Sequence, residues 1–229
     1  MTALSPRNPN HSGSRRTQPI DTRHSTRSSV LTLILLWLCL TLPATAMAEN
    51  TVLVFGDSLS AAYGIAEEDG WVTLLEEKLA ETHPQWQVRN ASVSGETTGG
   101  GLRRINKALD HHTPEIVILQ LGGNDGLRGK DPQTMRNNLA TIIERSKDTG
   151  AKVLLIGIEI PPNYGQQYTT AFRNQYQQLA NNHEINFLPF LLEDIYNRNG
   201  MMQNDGIHPT AEAQPLVLEN VWEKLEPML

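Results

Sequence analysis

An α/β fold with a parallel sheet and helices on both faces is predicted by three features of the sequence. Apolar runs of strand length alternate with amphipathic stretches of helix length from about residue 51 to the C-terminus. Small and polar residues collect where several of those apolar runs end, and open parallel sheets bind ligands beyond the carboxyl ends of their strands. Past a distinctive N-terminal segment of 48 residues the chain has 181 more, enough for one domain with a real core and too few for two.

The first strand is read from Val52-Leu53-Val54-Phe55, which breaks at Gly56-Asp57-Ser58. Ala61 to Gly70 is a connection, and apolar residues at 71, 72, 74, 75 and 79 mark one face of a helix that His83-Pro84 ends. Trp86 to Asn90 is a second strand. Ala91 to Gly101 reads as a loop because it is rich in Ser, Thr and Gly, and Leu102, Ile105 and Leu109 then carry a helix that stops before Pro114. Ile116 to Leu119 is a third strand running into Leu121-Gly122-Gly123-Asn124-Asp125. Asp131-Pro132 supplies a cap and a first-turn proline for a helix closing at Gly150. Lys152 to Ile158 is the fourth strand, followed by the stiff turn Pro161 to Gly165. Tyr168 to Asn182 is a helix and Ile185 to Leu188 a fifth strand. After the tight loop Asp205 to Pro209, Thr210 is expected to cap the last helix, which reaches about Leu225.

The N-terminal segment is of another kind. Five arginines and one aspartate precede thirteen mostly apolar residues, Val30 to Leu42, too few for the roughly 20 needed to span a bilayer. Ala46-Met47-Ala48 follows, the small-x-small pattern of a signal-peptidase site, so residues 1–48 are expected to be a cleaved secretory signal and 49–229 a single exported domain, periplasmic or secreted. Cleavage there removes Cys39, the one cysteine, which excludes thiol nucleophiles, disulfides and cysteine-ligated metals. The remainder keeps 14 basic and 24 acidic residues, a net charge of −10 that disfavours nucleic acid as a partner.

In a parallel sheet the turns after the first three strands open on one edge, bringing Ser58, Gly95 and Asn124 together, and the loop before the last helix can carry Asp205 and His208 to the same place. Taken singly each has a commonplace role: a helix cap for Ser58, a bend for Gly95, a turn former for Asp205, a positive-φ position for Asn124, a backbone-bonded loop residue for His208. Taken together they supply one mechanism. A serine hydroxyl needs a base held in the right tautomer by a carboxylate, and acyl transfer needs donors aimed at the developing oxyanion. The absence of a G-x-S-x-G elbow counts against an ordinary α/β-hydrolase. Leu127, Ile158, Ile160, Tyr164 and Phe190 are placed by their loops to give the same edge an apolar, substrate-binding lining.

Gly56-Asp57-Ser58-Leu59, Gly95 within Val93-Ser94-Gly95-Glu96-Thr97, Gly122-Gly123-Asn124-Asp125 and Asp205-Gly206-Ile207-His208-Pro209 resemble, in order, the four blocks of the SGNH (GDSL) hydrolases. The resemblance runs from about Thr51 to the C-terminus. It implies a flavodoxin-like three-layer α/β/α sandwich with a five-stranded parallel sheet. It also implies Ser58 as nucleophile, His208 as base, Asp205 as its partner, and an oxyanion hole from Ser58, Gly95 and Asn124. The expected activity is hydrolysis of esters and thioesters of medium to long acyl chains, without metal or organic cofactor. The expected partner is a small-molecule acyl ester or thioester, met by a monomer with at most transient contact with membrane lipid. The glycine run Gly99 to Gly101 is expected to loosen the rim beside Gly95. Two alternatives stand beside this reading: an esterase of the same fold acting on acetyl groups of polysaccharide, and a non-catalytic ligand-binding module in which Ser58 only caps a helix.

Overall fold

Five parallel strands, β1 (Asn50–Gly56), β2 (Trp86–Asn90), β3 (Ile116–Gln120), β4 (Lys152–Ile156) and β5 (Asn186–Leu188), form one sheet in the order β2-β1-β3-β4-β5. The structure is a computed structural model that describes residues 50–229, so the signal segment predicted for 1–48 lies outside the described residues. The helices are α1 (Trp71–Thr82), α2 (Thr98–His112), α3 (Gly123–Leu127), α4 (Pro132–Asp148), α5 (Gln166–His183) and α6 (Gln214–Leu225).

Alternation along the strands sorts the core into two layers, because successive strand side chains point to opposite faces. Val52, Val54, Ile116 and Ile118 face α1 and α6, meeting Trp71, Leu75, Val217 and Val221. Leu53, Phe55, Val117 and Leu119 face α2, α4 and α5, meeting Ile105, Leu139, Ile142, Phe172 and Tyr176. All four central residues of β1 and all five residues of β3 are buried, so these strands read as unbroken apolar runs. The result is the three-layer sandwich expected from the sequence. Strand order reverses between β1 and β3, which pair from Val52 with Ile116 to Gly56 with Gln120. That pair marks the topological switch point where open α/β sheets place their ligand crevice.

Three elements differ from the sequence expectation. The glycine run belongs to α2 rather than to a loop: Thr97 caps the helix by accepting from Gly100 N–H, and Gly101 packs so closely that a Cβ there would sit 2.5 Å from Leu121. Composition suggested a loose rim, whereas the glycines let a helix approach the sheet. β4 ends at Ile156 because Gly157 passes directly over Pro189, where a Cβ would lie 2.1 Å from the proline carbonyl, and the chain turns outward with Ile158. Thr210 does not cap with its side chain. Its hydroxyl donates to the Gly200 carbonyl, 3.1 Å away, and a 3-10 turn, Ala211–Ala213, precedes α6.

Candidate active site

The turn after β1 is fixed from below. Gly56 leaves room for Gln120, whose Oε1 would lie 2.7 Å from any Cβ at position 56. That oxygen accepts from the Ser60 hydroxyl at 2.7 Å and from Asp57 N–H at 3.2 Å. Asp57 points into the protein and is 1% exposed. Its Oδ1 accepts from Gln120 Nε2 at 3.0 Å and Leu59 N–H at 3.1 Å, and its Oδ2 from Asn124 Nδ2 at 3.4 Å. Burial pushes the Asp57 carboxyl up to about 6, against these hydrogen bonds and the nearby His208, which favour the anion. Asn90 Nδ2 and Trp71 Nε1 tie down the carbonyls of Ser60 and Leu59 at 2.8 and 3.0 Å. Between these anchored neighbours, Ser58 is left facing the crevice.

His208 reaches it from the loop before α6. The loop folds back on itself through a Met202–Pro209 bridge, with Gln203 N–H donating to the His208 carbonyl at 2.8 Å. Gly206 takes φ +67°, where glycine is at ease. Asp205 Oδ1 accepts from the N–H groups of Ile207 and His208 at 2.9 and 3.1 Å, which turns Oδ2 toward the imidazole. His208 Nδ1 lies 2.7 Å from that Oδ2, and Nε2 lies 2.8 Å from Ser58 Oγ. A carboxylate only accepts, so Nδ1 carries the proton and Nε2 is free to take the hydroxyl's. Burial raises the Asp205 carboxyl, but hydrogen bonds from the ring and the two backbone N–H groups outweigh it and hold the group below the usual carboxylate range. The Tyr63 ring packs over the imidazole, centroids 4.5 Å apart.

The three oxyanion candidates come from three strand ends. Ser58 N–H and Gly95 N–H donate to no acceptor among the described residues. Asn124 lies in α3, which begins after Gly122. Gly122 is required twice over: its φ is +120°, and a Cβ would lie 2.2 Å from the Tyr176 hydroxyl. Asp125, 3% exposed, joins α3 to the start of α2 by accepting from Thr98 N–H at 2.7 Å and the Thr98 hydroxyl at 3.0 Å. Arg128 Nη2 reaches back to the Gly95 carbonyl at 3.1 Å.

A groove of about 450 Å³ opens from Ser58 and His208. Leu127, Ile158, Ile160 and Phe190 line it as expected, with Leu191, Leu192, Tyr196 and Met202 extending the apolar wall. Tyr164 does not line it. The 3-10 turn Pro162–Tyr164 gives Pro162 to the groove and turns the tyrosine outward, where its hydroxyl donates to the Leu127 carbonyl at 2.8 Å. Sequence reasoning missed the opposite, polar wall: Gln166, Thr169, Thr170 and Arg173, with Arg173 Nη1 3.2 Å from Glu159 Oε1. Their i, i+3, i+4, i+7 spacing was the available signal, a polar stripe on one face of α5.

A doubly wound sheet bearing a linked Ser–His–Asp chain at its switch point defines a serine hydrolase. The chain belongs to the GDSL-like Lipase/Acylhydrolase family, which it matches over residues 54–215. It is 47% identical over 192 residues to Esterase TesA of Pseudomonas aeruginosa, covering 84% of this chain and 96% of that one. It is 40% identical over 188 residues to Thioesterase 1/protease 1/lysophospholipase L1 of Escherichia coli, covering 80% and 87%. The crystal structure of TesA superposes with a TM-score of 0.77 at 48% identity, covering 79% of this chain and 100% of that one.

Proposed function

We propose that this protein is an exported hydrolase that cleaves esters and thioesters of medium to long acyl chains through an acyl-enzyme on Ser58. The observation that carries the reading is the unbroken hydrogen-bonded path from Ser58 Oγ through His208 to Asp205, at 2.8 and 2.7 Å, in a groove with one apolar wall. Ser58 Oγ attacks the acyl carbonyl while His208 Nε2 takes its proton. Asp205 holds the ring in the productive tautomer and stabilises the imidazolium that forms. Ser58 N–H, Gly95 N–H and the Asn124 amide receive the oxyanion. The imidazolium then protonates the departing alcohol or thiol, and water repeats the sequence on the acyl-enzyme, releasing the acid.

Chain-length preference follows from the wall. Each methylene taken from water contributes about 0.8 kcal/mol, and an acetyl group would leave most of the groove unfilled. The polar stripe of α5 and Glu159 then meets the leaving group, which in a lysophospholipid is a polar head. That same stripe is what favours the second reading, an acetyl esterase acting on a hydroxyl-rich polysaccharide. Tyr63 and Tyr196, 52% and 55% exposed, are available for transient contact with lipid. Export rests on the signal pattern of residues 1–48.

The test is a series of p-nitrophenyl esters from acetyl to palmitoyl, with parent and Ser58→Ala proteins and mass spectrometry after treatment with a serine-reactive phosphonate. Rising kcat/KM with chain length, one phosphonyl adduct on Ser58, and loss of turnover in the folded variant are expected. A residual acceleration of about 10³–10⁴ over water is what a lost triad member leaves. An optimum at acetyl supports the polysaccharide reading. Near-normal turnover in Ser58→Ala overturns both.

A further inference from the structure

The mechanism above makes no use of Asp57, although this acid is buried directly beneath the crevice and touches one of the groups assigned to the oxyanion hole. Every hydrogen bond made by its side chain is one it accepts. Gln120 cannot turn its oxygen toward Asp57, because that oxygen already accepts from Ser60 Oγ and Asp57 N–H. Oδ1 therefore receives two donors, Gln120 Nε2 and Leu59 N–H, and Oδ2 receives Asn124 Nδ2.

We propose that Asp57 is a positioning residue: its carboxylate, by accepting from Asn124 Nδ2, holds that amide with its nitrogen inward and its second N–H available to the substrate oxyanion. The inference rests on the reading of Asn124 as an oxyanion donor. The physical reason is the acceptor-only character of the anion. A side-chain amide can face a neighbour with either end, and only an acceptor without a donor of its own forces the nitrogen end. An asparagine at position 57 has the same shape but one acceptor and one donor. Its oxygen satisfies the two donors on the Oδ1 side, its nitrogen then meets Asn124, and Asn124 turns its carbonyl inward and withdraws its N–H from the crevice. Protonation of Asp57 acts in the same direction. The ionisable groups facing Asp57 are His208 from the loop before α6 and Tyr176 from α5, whose hydroxyl donates to the Leu121 carbonyl. Asp125 of α3 acts on the same tyrosine, while Gln120 and Ser60 are neutral. Tyr176 is held neutral, its pKa pushed far above the ordinary value by burial, while the Asp57 carboxyl, raised to about 6, changes charge at mildly acidic pH.

The experiment is a double-mutant cycle on p-nitrophenyl ester hydrolysis with Asp57→Asn, Asn124→Ala and the double variant. Asn124→Ala is expected to lower kcat by about 10²–10³, the effect of removing one oxyanion donor. Asp57→Asn is expected to lower kcat by about tenfold or more with KM nearly unchanged, and to have no further effect once Asn124 is gone. An unchanged kcat in Asp57→Asn, or the same loss in both backgrounds, overturns the inference while leaving the oxyanion reading intact. An unchanged kcat in Asn124→Ala overturns the oxyanion reading itself, and the inference with it. The parent protein gives a readout that needs no variant at position 57. Its acid limb of log kcat/KM is expected to carry an ionisation at about 6 that is lost in Asn124→Ala. The same acid limb in both proteins overturns the proposal even where Asp57→Asn does not fold.

Discussion

The two arms of the site are built by opposite means. The nucleophile arm stands on Asp57, Ser60 and Gln120, all at most 2% exposed and held by one another's side chains. The histidine arm is a surface loop whose shape comes from main-chain bonds, with side chains of Asp205 and His208 39% and 13% exposed. In a buried network, removing one partner strands another polar group, at about 1–3 kcal/mol. On the exposed arm water replaces a lost partner. Activity and stability are therefore separable at the histidine arm and coupled at the nucleophile arm.

The largest expected effect tests separability directly. His208→Ala should lower kcat by about 10⁴ or more, as loss of a triad base does, while the urea midpoint stays close to the parent's. A matching fall in stability would erase the contrast between the arms. Next comes pH. Burial lifts Asp57 from 3.8 to about 6, so the folded protein binds this proton more readily than the unfolded chain. The ionised carboxylate then costs on the order of 3 kcal/mol at pH 8, a cost relieved as pH falls through 6 toward 4. Asp205 works in the opposite sense, its contribution being intact at neutral pH and lost only below the ordinary carboxylate range. Urea titrations of parent and Asp57→Asn at pH 8 and pH 5 should show the parent gaining relative to the variant on acidification. A constant difference between them would remove the buried charge from the account.

A steric probe of the buried side follows. Gly122→Ala drives a methyl into the Tyr176 hydroxyl at a positive φ and should destabilise by about 1–3 kcal/mol, lowering kcat as α3 shifts. Equal stability with normal kcat would show that α3 has slack the contacts do not suggest. The smallest effect belongs to the exposed Arg173–Glu159 pair, where Glu159→Gln should change stability by less than about 1 kcal/mol. Its readout is KM for esters with cationic against anionic leaving groups.

What could be read from the residues alone follows the same division. Strands β1 and β3 were legible as apolar runs, Ser58, Asn124, Asp205 and His208 as polar residues at strand ends and in the last loop, and Gly95 as a bend after the second strand. The supports beneath them were not. Gln120 looks like the last residue of an apolar strand, and nothing local says that Gly56 exists to admit it. Gly99 to Gly101 look like a loop because helix propensity is poor there, while tertiary contact with Phe55 and Leu121 decides the matter. The loop after β4 offers Tyr164 as a groove residue, and only the direction of the 3-10 turn Pro162–Tyr164 takes it out.

Gln203 Nε2 donates both to the Tyr63 carbonyl in the serine turn and to the Pro209 carbonyl beside the histidine, each at 2.9 Å. One amide thus rivets together two stretches of polypeptide some 140 positions apart. Anyone transplanting the Asp205–His208 segment onto another scaffold would need to carry this rivet and its socket as well, or the imported imidazole would arrive without a fixed bearing on its serine.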